Sequence, residues 1–405
     1  MTQTRRALVF SLLLLACSSN QQPAPEITIA EHAHHLTGAP NEYDPLLAAI
    51  GSAHLVLLGE ATHGTHEFYA ERAEITMRLI REKRFTAVAL EADWADAARV
   101  DRYVRGTSDD RNAIEALGNF DRFPRWMWRN REFAELVEQI RRHNDALPAG
   151  AIKTGVYGLD LYEPDESRVA VDRHLRAIDP AFAEQIKKQP IAKWVDLIRA
   201  REGQVKNQAM LDELFSAEQN ARVVANGSRE TSWNERDRHM VVTMQALQRY
   251  LIQRNGHDNI VVWAHNSHVG DARATGRAQY GEWNMGQLVR EHWPRGASFT
   301  VGFFTHSGTV MAASEWGGQP RVQNLQTSIR GSHGAIFHAT GLPRFYVILS
   351  EVETRAVRTP RLQRAVGVIY LPANEYQAHY YTATLREQFD AAIHIDATKA
   401  VTPLD

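Results

Sequence analysis

Short apolar runs alternate with longer stretches of helical periodicity along most of this chain, and the apolar runs end in ionisable residues. Ala53 to Gly59 reads as a buried strand that delivers Glu60, and Ala87 to Leu90 as one that delivers Glu91. Gly155 to Leu159 delivers Asp160 and Ile260 to Ala264 delivers His265 in the same way. Between them, Glu67 to Lys83 carries Ile75, Leu79 and Ile80 at helical spacing, and Glu132 to His143 carries Phe133, Leu136, Val137 and Ile140. This rhythm predicts an α/β fold, a mainly parallel sheet flanked by helices. Ligands gather outside the carboxyl ends of such strands, which is where these four polar groups are expected.

From about residue 166 to 256 the strand signal gives way to Gln-, Arg- and Glu-rich helical text, read as a helical insertion over the carboxyl-end cleft. Strand-like runs return at Phe299 to Phe304, Phe345 to Leu349 and Val366 to Tyr370 and are expected to complete the sheet. No internal repeat or low-complexity tract is evident, so residues 41–405 are read as one domain.

Composition narrows the function. The 405 residues include 46 Lys and Arg against 48 Asp and Glu, a net charge of -2 that offers no basic field for a nucleic-acid backbone. The single Cys excludes an internal disulfide and a thiolate zinc cage. That residue, Cys17, follows Arg5, Arg6 and the apolar run Ala7 to Ala16, which is too short to span a bilayer. The pattern resembles a bacterial lipoprotein signal over residues 1–16, with lipid on Cys17, a polar linker over 17–40, and export to the cell envelope. An ordinary cleaved signal is the alternative.

Candidate chemistry lies in two segments, Gly59-Glu60-Ala61-Thr62-His63-Gly64-Thr65-His66-Glu67-Phe68 and Trp263-Ala264-His265-Asn266-Ser267-His268. A carboxylate beside an imidazole can fix its tautomer, raise its basicity and let it take a proton from water. The same groups, Glu60, His63, Glu91 and His265, are also competent ligands for zinc or iron, and spacing alone does not choose. There is no Gly-x-Ser-x-Gly elbow and no His-Glu-x-x-His helix, since His66-Glu67 is followed by Phe68, Tyr69 and Ala70.

The first of these segments, with Arg72 nine residues after His63, resembles the leading motif of the erythromycin esterase family. Leu90-Glu91-Ala92, Gly158-Leu159-Asp160-Leu161, Arg236-Asp237 followed by Met240, and the His265 segment resemble that family's later blocks, in order, from about residue 54 to about 310. The resemblance implies hydrolysis of a macrolide lactone by histidine-activated water, without a covalent intermediate, a cofactor or an obligatory metal, and with a potential role in macrolide resistance. It implies His63 as general base, Glu60 and Glu91 as orienting acids, and His265 and His268 as a second pair that positions the ester or donates a proton. Arg72 and Arg236 match arginines that would stabilise an oxyanion or lock a carboxylate. The resistance enzymes act in the cytoplasm, so the export signal is a departure.

Plainer readings stand beside these. Glu91 suits a helix cap, Asp160 an orienting group, Arg72 an ordinary ion pair and Arg236 a solvated charge run, Asn234 to Arg238. His66 ranks behind His63. Trp126 and Trp128 suit a core as well as an apolar cleft wall. Rival functions are hydrolysis of a different ester or amide, and haem or metal binding by an envelope lipoprotein, prompted by a distant similarity of the strand-end motifs.

Overall fold

The computed structural model describes residues 24–228 and 231–404. Its strands, in chain order, are β1 (His34–His35), β2 (Leu55–Leu58), β3 (Ala87–Asp93), β4 (Gly155–Asp160), β5 (Ile260–Trp263), β6 (Ser298–Ala312), β7 (Arg321–Leu325), β8 (Arg344–Ile348), β9 (Arg361–Arg364), β10 (Tyr380–Ala383) and β11 (Ala391–Thr398). Nine form one sheet in the order β1-β8-β11-β6-β2-β5-β3-β4, with β7 paired to β6; β9 and β10 make a separate ribbon. The six strands β4, β3, β5, β2, β6 and β11 run parallel. β8 and β1 continue the sheet antiparallel. This is the α/β architecture that the alternation of runs predicts.

The strands are apolar throughout because the sheet is covered on both faces. Val56, Leu58, Val88, Leu90, Val261, Trp263, Val301 and Phe303 fill one core with Phe68, Ile75, Leu79 and Phe133 from the helices His66–Lys83 and Arg131–Asp145. Leu55, Leu57, Ala87, Ala89, Ile260 and Val262 fill the other, against Met240, Met244 and Leu247 of the helix Trp233–Asn255. Alternate residues of one strand thus serve opposite cores.

Three expectations change. The segment read as polar linker is structured from Pro25: the helix Pro25–Glu31 buries Ile29, and β1 pairs with β8 through His34 opposite Tyr346. Its large aliphatic residues, Ile27, Ile29 and Leu36, are too sparse to show a period; Ile29 and Leu36 are buried and Ile27 is exposed. Val366 to Tyr370 is not a strand; it crosses near the strand ends with isolated bridges, Val366 to Thr62 and Ile369 to Ala313. The expected helical stretch begins at Pro164 and ends at Asn255. Its helices up to Asn226 pack around their own core of Val171, Leu175, Ile186, Trp194, Ile198 and Leu214, so only its last helix reaches the cleft, through Trp233 and Arg236.

Candidate active site

The ends of β2, β3, β4 and β5 meet at one cleft with about 1050 Å³ of open space. A glycine ends β2 because a Cβ on Gly59 would fall 2.1 Å from Asn266 Oδ1. Asn266 needs that space: its Nδ2 donates to the Phe303 carbonyl at 2.8 Å and its Oδ1 accepts from Phe303 N at 3.2 Å, tying the His265 turn to β6. Gly64, just after His63, is held against Met311, whose carbonyl oxygen a Cβ would meet at 2.0 Å.

Glu60 is fully buried and uses both carboxylate oxygens. Oε1 accepts from His63 Nδ1 at 2.8 Å and Oε2 from Arg72 Nη2 at 2.7 Å. Arg72 is itself buried between the rings of Tyr69 and Trp263, its guanidinium 4.6 and 4.4 Å from their centroids, and is no part of the cleft wall. It secures Glu60 from behind. With Nδ1–H directed at a carboxylate, the His63 ring keeps Nε2 as its lone-pair nitrogen, and no protein hydrogen bond occupies that atom among the described residues.

His265 carries the opposite tautomer. Its Nδ1 accepts from Ser267 N at 3.1 Å and lies 2.7 Å from Ser267 Oγ, so the ring proton sits on Nε2. That buried Nε2 has no hydrogen bond of normal geometry, although the Ala61 backbone lies close enough to favour the ring's charged form. Burial, then the neighbouring His63, holds the His265 pKa well below its ordinary value, so the ring is neutral.

Glu91 joins the second half of the site. Oε2 accepts from His265 N at 2.8 Å, and Oε1 lies 2.7 Å from Arg236 Nη2 and 3.2 Å from His268 Nε2. Burial would raise its pKa, but the charges of His268 and Arg236 outweigh that and hold it well below the carboxylate range. Arg236 forks onto Asp160, Nε to Oδ1 at 2.9 Å and Nη2 to Oδ2 at 2.6 Å. His268 places Nδ1 2.9 Å from Asp237 Oδ2 and stacks on Trp233 with centroids 4.3 Å apart. Burial disfavours its charge, yet Asp237 and Glu91 push its pKa up to about 9. Arg236 Nη1 lies 2.8 Å from His268 Nε2, poised to donate to it once the ring is neutral.

The structure therefore brings together Glu60, His63, Glu91, Asp160, Arg236, His265 and His268, with Arg72 behind them. Trp128 lines the cleft and donates Nε1–H to the Glu91 carbonyl at 3.2 Å. Trp126 is buried outside the cleft wall. His66 is not brought to the site: it opens the helix after the motif and pairs with Glu132 at 2.7 Å. Cys17 lies outside the described residues. Among those, no group of three or more His, Cys, Asp or Glu side chains is arranged to hold a metal ion. The alternative ligand set has its carboxylates already engaged, Glu60 by His63 and Arg72 and Glu91 by Arg236.

Sequence reasoning missed several cleft residues. Asp237, quoted beside Arg236 in a family block but given no role there, is buried behind the cleft wall, and its partner His268 is 31 positions away. Asp93 and Asp96 follow Glu91 closely, a strand-end signal that was readable, whereas Tyr162, Trp233 and Trp316 carry no local signature.

Such a sheet, with histidines and carboxylates gathered at its strand ends, defines an α/β enzyme of the strand-end type. Residues 80–398 match the family model of erythromycin esterase, and the chain belongs to the erythromycin esterase family. Membership makes it a hydrolase of that family with a small-molecule ester as substrate. The match begins inside the helix that follows Glu60 and His63. Among solved structures, a Bacillus cereus protein aligns with 94% of this chain and 98% of its own at 20% identity and TM-score 0.72. A succinoglycan biosynthesis protein aligns over 93% and 97% at 19% identity and TM-score 0.72. A mutant of the erythromycin esterase EreC in its open conformation aligns over 89% and 94% at 14% identity and TM-score 0.59. At these identities the likeness is one of fold.

Proposed function

We propose that this protein opens a macrolide lactone with water activated on His63, and that its place is the cell envelope, anchored by lipid on Cys17. The carrying observation is the Glu60–His63 pair in the cleft: with His63 Nδ1 held 2.8 Å from Glu60, Nε2 is left without a protein partner among the described residues, and His265 stands beside it with Nδ1 held by Ser267. Water bound in the cleft gives its proton to His63 Nε2 as its oxygen attacks the ester carbonyl carbon. The His63 imidazolium is stabilised by Glu60, which Arg72 fixes. His265 Nε2–H, sealed from solvent in the free protein, turns toward the ester to meet the negative charge that develops on the carbonyl oxygen. As the ring C–O bond breaks, the alkoxide takes the proton from His63, so one water is consumed and an acid and an alcohol result. Glu91, held by Arg236 and His268, supports the backbone of His265.

Ser267 is the serine that lines the cleft; its backbone N–H caps His265 Nδ1, and its hydroxyl lies 2.7 Å from the same atom. Its replacement by Ala is expected to leave turnover without an acyl-enzyme step. The test is mass spectrometry of erythromycin and a 16-membered macrolide after incubation with the domain from residue 24, with and without chelator. Gain of one water that survives chelation and is lost in His63→Ala supports the proposal. Intact macrolides with folded protein would overturn the substrate, and loss on chelation would overturn the metal-free step. For the anchor, Cys17→Ser should move the protein from the membrane to the soluble fraction; unchanged fractionation would refute it.

A further inference from the structure

A narrow side chamber of about 220 Å³ lies behind the cleft and shares three of its wall residues, Trp233, Ser267 and Arg277. Its wall away from the cleft includes Gln388, which is only 1% exposed. Among the described residues neither Nε2 nor Oε1 of this side chain makes a hydrogen bond of normal geometry, an expensive state for a buried amide. The Tyr381 hydroxyl lies near the amide, but its hydrogen bond of normal geometry is the one it accepts from Gln363 Nε2 at 2.7 Å.

Two more atoms of the chamber are in the same state. Arg277 Nη1 and Glu282 Oε2 are both buried and stand 3.5 Å apart, an ion pair too long for a direct hydrogen bond. The guanidinium is held there by two rings, 4.8 Å from the Trp233 centroid and 5.6 Å from that of Tyr381. Four buried donor and acceptor atoms thus border a space too narrow for an ester. Water is the ligand of that size that can donate to Gln388 Oε1 and Glu282 Oε2 and accept from Gln388 Nε2 and Arg277 Nη1.

Ser267 is where the chamber meets the chemistry. It lines both spaces, and its Oγ lies 2.7 Å from Nδ1 of His265, the ring beside His63. Water reaches an empty cleft through its mouth, but an ester large enough to fill the cleft closes that route. We propose that the chamber holds a short file of ordered water and passes it into the cleft beside Ser267, so that hydrolysis draws its nucleophile from behind the bound ester. The feeding role rests on the macrolide hydrolase reading; the water site does not. The side chains of Arg277 and Glu282 are 38% and 36% exposed, so the file refills from solvent on their side.

Gln388→Met keeps most of the side chain's bulk and removes both of its water partners. In crystals of the ligand-free protein, the wild type should show ordered water bonded to Gln388 inside the chamber, and Gln388→Met should lack it. A dry chamber in the wild type would overturn the water site. Turnover is then compared for erythromycin, which is bulky, and for phenyl acetate, which leaves the cleft mouth open. Gln388→Met should lower kcat for erythromycin about tenfold, the order of one well-held water, with KM changed by less than about twofold. Phenyl acetate turnover should stay within about twofold of the wild type. Unaltered erythromycin turnover would overturn the feeding role, and so would an equal fall for both esters, which marks damage to the fold. If the wild type leaves erythromycin intact, the macrolide reading and the feeding role fail together, whereas ordered water in the chamber stands.

Discussion

His63 and His265 stand with ring centroids 4.9 Å apart, and at Nε2 they have opposite characters, an acceptor on one and a donor on the other. Each tautomer is set at Nδ1, by a carboxylate in the first ring and by the amide and hydroxyl of Ser267 in the second. A water in the cleft has a place to leave its proton at His63 Nε2, while His265 must turn its buried Nε2–H outward before an ester oxygen can use it.

His63→Ala should lower turnover by about two to four powers of ten, the usual worth of a positioned base. Circular dichroism should still show the native fold, but the melting temperature should fall by a few degrees because buried Glu60 Oε1 loses its Nδ1–H partner, so turnover is compared per folded molecule. His265→Ala should cost about two to three powers of ten by removing a charge-stabilising donor. A folded His63→Ala protein with near-normal turnover would take the base role from that residue.

Glu60 and Arg72 form a fully buried ion pair, so breaking it is costly even though a well-packed apolar pair need not be. Glu60→Gln should destabilise by about 3–5 kcal/mol, read by urea unfolding, and should lower turnover because His63 loses its anionic partner. The double variant Glu60→Gln, Arg72→Met removes the stranded guanidinium. It should regain part of the stability and none of the turnover; recovery of turnover would show that Glu60 acts on folding alone.

His268 makes stability depend on pH in a stated direction. Its folded pKa of about 9 lies above the ordinary histidine value of about 6.5. The charged ring's contribution is therefore complete below about pH 6.5 and is lost as pH rises through 9. The limit is on the order of 3 kcal/mol, lessened because Arg236 Nη1 can donate to the neutral ring. Urea midpoints of wild type and His268→Gln should converge between these pH values. Buried acids such as Asp96 act in both proteins, so the difference between the curves is the readout, and parallel curves would refute the charged ring.

Much of the site was legible because each part ends an apolar run: Glu60 after β2, Glu91 within β3, Asp160 at the end of β4, His265 after β5. Parallel strands bring their carboxyl ends together whatever the intervening length, so four local signals became one cleft. What sequence could not show were contacts made by helices and loops from elsewhere. Arg236 reads as one charge in a solvated run until the fold lays it between Asp160 and Glu91. His66 stands in the densest motif yet faces Glu132, because it opens the next helix instead of ending the strand. Val366 to Tyr370 has strand composition, but its bridges at Thr62 and Ala313 are too few to make a ladder.

The N-terminal arm turns one such misreading into a measurement. As a linker, residues 24–40 would be dispensable, and a chain beginning at residue 41 would be as stable as one beginning at 24. In the fold, Ile29 and Leu36 are buried, β1 forms the edge of the main sheet, and His34 stacks on Tyr346 at 4.7 Å. Full burial of two such aliphatic side chains stabilises by about 3–6 kcal/mol, an upper bound because the unfolded chain already hides part of that surface. The arm lies across β8, at the far side of the sheet from β3 and β4, and contributes nothing to the cleft wall. The shorter chain should therefore melt several degrees lower, with its edge strand β8 uncovered and prone to self-association, while turnover per folded molecule is kept. Equal melting temperatures for the two chains would return the arm to the status of a linker.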